Sequence, residues 1–84
     1  MNFAVHWSLD ARNSLAAIWI RSSIRSAVTK AQATIDRSLT ADALAHGMPV
    51  SVGLYSIEVS PLRVLFEVNE ANRTVEVVGV RQTP

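Results

Sequence analysis

The sequence contains no cysteine, which excludes a disulfide framework, thiolate metal clusters and a cysteine nucleophile. For so short a chain the absence of disulfides points to a reducing compartment, so a cytoplasmic location is expected. Only three glycines and three prolines occur, too few for a linker or a collagen-like repeat. No apolar run approaches the 18 or so residues of a membrane span. The opening MNFAVHWSLD lacks the basic and apolar regions of a signal peptide. A soluble chain with no membrane partner is therefore expected. A formal net charge of +1 is far from the basic balance of a dedicated nucleic-acid binder, and sequence-specific DNA binding by the chain alone is not expected.

What is present is 49% hydrophobic content in 84 residues, enough for one core and too little for two. Residues 1–84 are therefore read as a single domain. Phe3, Val5 and Trp7 alternate with Ala4 and His6, the period of a half-buried strand. Ser8 is a suitable N-cap, and Asp10 suits the first turn of a helix carrying Ala11, Leu15, Ile18 and Trp19 at helical spacing. After the break at Arg21-Ser22-Ser23, the residues Ile24, Val28, Ala31, Ile35 and Leu39 mark one narrow face of a second helix. So short a connection implies an antiparallel helical hairpin. The segment Thr40–Val50 can add a helical turn through Ala41, Ala43 and Leu44 before His46-Gly47-Met48-Pro49 ends it, with Gly47 as the C′ residue.

Beyond Gly47 the period changes to two. Tyr55, Ile57 and Val59 share one side of a strand, and Leu62, Val64, Phe66 and Val68 one side of the next, with Ser60-Pro61 as the turn between them. Asn69-Glu70-Ala71-Asn72 is the second turn, and Arg73–Arg81 the last strand. The predicted fold class is α+β in the order β-α-α-β-β-β, the helical hairpin packed on one face of a small antiparallel sheet.

The turns imply a register: Val59 opposite Leu62, Ile57 opposite Val64, Glu58 opposite Arg63, Phe66 opposite Val75, and Val64 opposite Val77. One face then gathers Tyr55, Ile57, Val59, Leu62, Val64, Phe66, Val75 and Val77 beneath the helices. The open face gathers Ser56, Glu58, Arg63, Leu65, Glu67, Thr74, Glu76, Val78 and Val80, more acidic than basic, with Arg63 as its one cation. Arg63 reads first as the partner of Glu58 in an exposed pair worth on the order of 0–1 kcal/mol, and second as a fork for a phosphate or a partner's carboxylate.

Other candidates are weaker. His6 and His46 have no sequence partner for acid–base work, and nothing in the sequence suggests a metal site or a cofactor. Tyr55, Trp7 and Trp19 read as packing residues, the indole N–H groups finding partners at the core edge. Arg12, Arg21, Arg25, Lys30 and Arg37 give the helical layer a basic outer surface, which reads as a solvated face.

The stretch Pro61-Leu62-Arg63-Val64-Leu65-Phe66-Glu67-Val68-Asn69-Glu70, followed by Arg73-Thr74-Val75-Glu76-Val77-Val78-Gly79-Val80, resembles the RelE/ParE superfamily of type II toxins. The opening strand and helix over 3–20 and the second helix ending Ala33-Thr34-Ile35-Asp36-Arg37-Ser38-Leu39 extend the resemblance over nearly the whole chain. It implies a plasmid-stabilization-type toxin neutralised by a cognate antitoxin. Within the family, RelE-like members cut messenger RNA on the ribosome, whereas ParE-like members poison DNA gyrase without nuclease chemistry.

Arg63 matches the arginine that RelE-like nucleases use to bind the scissile phosphate, and is the best catalytic candidate; Arg81 is a weak match to their C-terminal basic group. Ser56 and Glu58 stand where those nucleases carry basic residues, and their C-terminal tyrosine or histidine–tyrosine pair is unmatched. An open face with Glu58, Glu67 and Glu76 around one arginine repels an RNA backbone. The expectation is therefore a ParE-like or degenerate toxin that acts by binding protein, with gyrase as an implied target. The alternatives are a ribosome-dependent mRNA endoribonuclease and a non-toxic orphan domain. Antitoxin contact is expected on the open face through Arg63, Leu65, Val78 and Val80.

Overall fold

The computed structural model describes residues 2–84. Its elements are β1 (Ala4–Trp7), α1 (Leu9–Arg21), α2 (Arg25–His46), β2 (Met48–Ser51), β3 (Leu54–Val59), β4 (Leu62–Asn69) and β5 (Thr74–Gln82). The five strands form one sheet in the order β1-β5-β4-β3-β2. The α+β class and the helical hairpin over the sheet are as expected, with two differences. The order is β-α-α-β-β-β-β, because β2 adds an edge strand, and the sheet is mixed rather than wholly antiparallel, because β1 runs parallel to β5. β2 exists because Val52 and Gly53 form a two-residue loop that folds Met48–Ser51 back onto β3, with Gly53 at φ 76° in the left-handed region that favours glycine. β1 occupies the otherwise open edge of β5, and the Ser8 amide continues the pairing with a bond to the Val77 carbonyl at 2.9 Å.

The helices start and stop for local reasons. The Ser8 hydroxyl accepts the Ala11 amide at 3.1 Å, the N-cap bond, with Asp10 in the first turn. At the far end of α1, Arg25 donates to the carbonyls of Trp19 at 3.0 Å and Ile20 at 2.9 Å, so this arginine caps a helix rather than adding to a free basic surface. Helix α2 continues to His46 across one non-helical residue, Asp42, whose carboxylate accepts the Ala45 amide at 3.2 Å and restarts the last turn. Nearby, the Thr40 carbonyl takes the Phe3 amide at 2.8 Å and ties β1 to α2.

The core lies between the helices and one sheet face. Val28, Ala31, Ile35, Leu39 and Ala43 form the buried stripe of α2 in one core with Leu62, Val64 and Phe66 of β4 and with Val75 and Val77 of β5, the strand that α1 covers, all essentially inaccessible. Tyr55 packs at its margin, stacked on Phe66 with ring centroids 5.8 Å apart. Two apolar positions differ from expectation. Trp19 is 43% exposed, because a step of one residue from buried Ile18 turns it about 100° away from the sheet. Its indole bonds Thr29 Oγ1 at 3.3 Å beneath the Arg25 guanidinium, 4.9 Å from the ring centroid. Ile24 is exposed because it sits at the N-cap of α2, ahead of the helical stripe. Trp7, in contrast, packs against the core, and its indole N–H donates to Asp36 Oδ1 at 2.8 Å.

Gly47 is required for a different reason from the one its place in the sequence suggests. Its φ of −90° is open to any residue, so it is no left-handed C′ cap. A Cβ there lies 2.5 Å from Phe66 Cζ and 3.1 Å from both the Ala43 carbonyl oxygen and Tyr55 Cβ. Gly47→Ala is expected to cost about 1–3 kcal/mol by overpacking, read as a lower denaturant midpoint; an unchanged midpoint contradicts this packing. Asp36→Ala is expected to cost roughly 1 kcal/mol by leaving the Trp7 N–H unpaired, and Asp36→Asn, which keeps an acceptor, less; equal losses in the two variants contradict the hydrogen-bond account.

Candidate functional site

The β3–β4 hairpin has the register expected from the sequence, with Val59 opposite Leu62, Glu58 opposite Arg63 and Ile57 opposite Val64, and a cis Ser60–Pro61 peptide in its turn. The β4–β5 hairpin differs. Asn69 pairs with Thr74, so the turn spans four residues and closes at Arg73, whose φ of 55° is left-handed, and the Asn69 carboxamide accepts the Asn72 amide at 3.1 Å. Phe66 therefore pairs with Val77 rather than Val75. A shift of two leaves each side chain on its expected face. A second irregularity does not: Leu65 pairs with Gly79, so Val78 is an extra residue in β5, a β-bulge.

Past the bulge every residue of β5 changes sides. Val80 pairs with Val64 and packs against the core, so its expected place on the open face is corrected. Arg81 pairs with Arg63 instead, which corrects the expectation that Arg63 is the one cation on that face. Across β5, β4 and β3 the rung reads Arg81, Arg63, Glu58. Leu65 and Val78 are half-buried and lie outside the core cluster, consistent with placement away from the helices. Strict alternation was the wrong guide through Val77-Val78-Gly79, and the glycine was the available signal, since glycine inside a strand often marks a bulge.

Around this rung lies a shallow hollow of about 400 Å³ lined by Val50, Arg63, Leu65, Gly79, Val80 and Arg81. Gly79 forms part of its floor, and a Cβ there meets Leu65 at an ordinary 3.9 Å. Among the described residues, the Arg63 and Arg81 side chains form no hydrogen bond or ion pair, so the expected Glu58–Arg63 pair is a register pairing only. Two neighbouring guanidinium forks are a strong arrangement for a phosphate or a carboxylate, because each offers planar, bidentate donation without losing its charge. Two like charges directly opposite each other also oppose strand pairing, so the Arg63–Arg81 pair itself adds nothing to stability.

Other titratable groups lie elsewhere. His6 is the register partner of Glu76 on the β1 edge, at the acidic end of the sheet. The His46 Nδ1 meets the Asp42 carbonyl at 2.8 Å on α2, and Tyr55 is turned to the core. Glu58 is thus the acid–base side chain next to the arginines. Among the described residues no group of three or more His, Cys, Asp or Glu side chains could hold a metal ion, and no helix is long and apolar enough to cross a membrane.

No protein-family model and no curated protein sequence matches the chain. Solved structures do. A chain of the toxin–antitoxin complex RelBE2 from Mycobacterium tuberculosis superposes with a TM-score of 0.76 at 22% identity, covering 98% of this chain and 99% of that one. A chain of the chromosomal ParDE system of P. aeruginosa gives 0.73 at 13% identity over 98% and 97%. A free-state mutant of the E. coli toxin RelE gives 0.67 at 13% identity over 98% and 84%. From its opening strand to its last, the chain has the RelE/ParE toxin fold.

Proposed function

We propose that this chain is the toxin of a toxin–antitoxin pair, with a cognate antitoxin protein as its neutralising partner. The observation that carries the reading is the full-length superposition on toxin–antitoxin proteins, 98% of this chain on 99% of a RelBE2 chain. Half-buried Leu65 and Val78, which the helices do not cover, supply an apolar area for an antitoxin segment beside the charged rung.

Within that role, a second reading is favoured by the Arg81–Arg63–Glu58 rung. The preference for a protein-binding, gyrase-type toxin rested in part on a lone arginine among carboxylates, and Arg81 beside Arg63 weakens that part, while Ser56 and Glu58 still stand where RelE-like nucleases carry basic residues. The two guanidiniums suit the non-bridging oxygens of an RNA phosphodiester and the charge that grows on them in the transition state. Glu58 suits the general base: it takes the proton of the 2′-hydroxyl as that oxygen bonds to phosphorus, while the bond from phosphorus to the 5′-oxygen breaks and the leaving oxygen takes a proton from water. The products are a 2′,3′-cyclic phosphate and a free 5′-hydroxyl. This is the RelE-like alternative, an mRNA endoribonuclease that meets its substrate on the ribosome.

Induced expression should arrest growth, and co-expression of the antitoxin from the adjacent reading frame should restore it; harmless expression contradicts the toxin role and leaves the orphan-domain alternative. If the rung cleaves RNA, Arg63→Ala and Arg81→Ala should each lower transcript cleavage about 10²-fold or more. Undiminished toxicity in both variants, with intact RNA and inhibited supercoiling by gyrase, overturns the nuclease reading in favour of protein binding.

A further inference from the structure

The open face carries a charge pattern that neither the fold nor phosphate binding requires. Cross-strand pairing sorts it into three rungs. The first holds Arg81 and Arg63, directly opposite each other, with Glu58 opposite Arg63 on its other side. The last holds Glu76 and Glu67, also directly opposite each other. Between them runs an uncharged rung of Gly79, Leu65, Ser56 and Met48, with Met48 70% exposed and Val50 in the hollow that Leu65 and Gly79 line. Each like-charge pair destabilises the monomer, and a sheet that needed only solubility would alternate the signs.

The pattern is self-complementary. Leu65 lies midway along β4 between Arg63 and Glu67, and Gly79 lies between Arg81 and Glu76 on β5. A two-fold axis parallel to the uncharged rung stacks two such sheets face to face with their strands reversed. That operation sets Arg63 against Glu67 of the second copy and Arg81 against Glu76. Both contacts repeat by symmetry, while Leu65 and Met48 meet their own copies at the centre. All four like-charge liabilities of the pair are then neutralised, and the apolar rung is covered. A sheet packed against another at about 10 Å is an ordinary arrangement, and isologous contacts are the commonest route to dimers.

From this geometry we propose that the open face is a self-association surface and that the chain forms a two-fold dimer through it. Four strands spaced about 4.8 Å apart and five residues rising about 3.3 Å each give roughly 300 Å² of projected face per copy, a small interface. The dimer is therefore weak, concentration-dependent and sensitive to salt. It stands independently of the toxin role, although it covers the Arg63–Arg81 rung of both copies and competes with any ligand there.

Sedimentation velocity on the full chain tests it, with circular dichroism to confirm that each variant is folded. The wild-type chain should pass from monomer to dimer as concentration rises at low salt, and the dimer should dissociate near 1 M salt, where the screening length falls to about 3 Å. Arg63→Glu and Glu67→Arg should each raise the dissociation constant at least tenfold. An equimolar mixture of these two variants should pair again, because each copy then offers the charges the other lacks, and the double variant should dimerise like the wild type. The proposal is overturned by a wild-type monomer at every concentration up to about 1 mM, by a dimer indifferent to the single reversals, or by folded single variants that fail to pair on mixing. Dissociation of the wild-type dimer at low salt on adding RNA or an antitoxin peptide supports it further, since either ligand then shares the same face.

Discussion

The extra residue that Val78 inserts into β5 determines what the two faces of this sheet can do. A strand alternates its side chains, so one unmatched residue exchanges every position beyond it between core and solvent. Here the exchange brings Val80 against the core and Arg81 beside Arg63. Without it, the end of β5 would offer a valine to water and an arginine to the underside of the helices, an expensive burial for a charge. The bulge is thus demanded by the composition of the strand's last residues, and the arginine pair is its consequence on the other side.

The helical face and the open face divide the tasks between them. Stability resides under α2, where Val28, Ile35 and Leu39 meet Leu62, Val64 and Phe66, and where Gly47 lets the helix end pass close to the Phe66 ring. The open face carries two opposed like-charge pairs and an apolar centre, none of which helps the chain to fold. A structure that keeps such features is expected to use them on another molecule, and its covered face supplies the margin that tolerates them. Two guanidiniums that pair with no other side chain among the described residues, a neighbouring carboxylate and half-buried leucine and valine side chains suit phosphate chemistry and protein contact equally well, which is consistent with a fold found in both RelE and ParE systems.

Much of this was legible in the sequence because it depends on local periodicity. The α2 stripe, the Ser8 cap and the β3–β4 register follow from spacing and from one short turn. The features that were not legible depend on pairing between distant segments or on a single residue of offset. Parallel docking of β1 on β5 leaves no mark in either strand. β2 is hidden by the proline in Met48-Pro49-Val50-Ser51, although Val52-Gly53 signals its turn. The site suffered most, since strict alternation placed Arg81 away from the open face and made Arg63 stand alone there. Trp19 shows the same sensitivity in a helix: one step beyond Ile18 moves it out of the core.

Cross-strand proton contacts in the nuclear Overhauser spectrum of the isotope-labelled chain test the shared face of Arg63 and Arg81 most directly. The account predicts backbone contacts between Leu65 and Gly79 and between Arg63 and Arg81. Contacts between Leu65 and Val78 and between Arg63 and Val80 would mean an uninterrupted ladder, a solitary Arg63 on the open face, and an account that is wrong at its base.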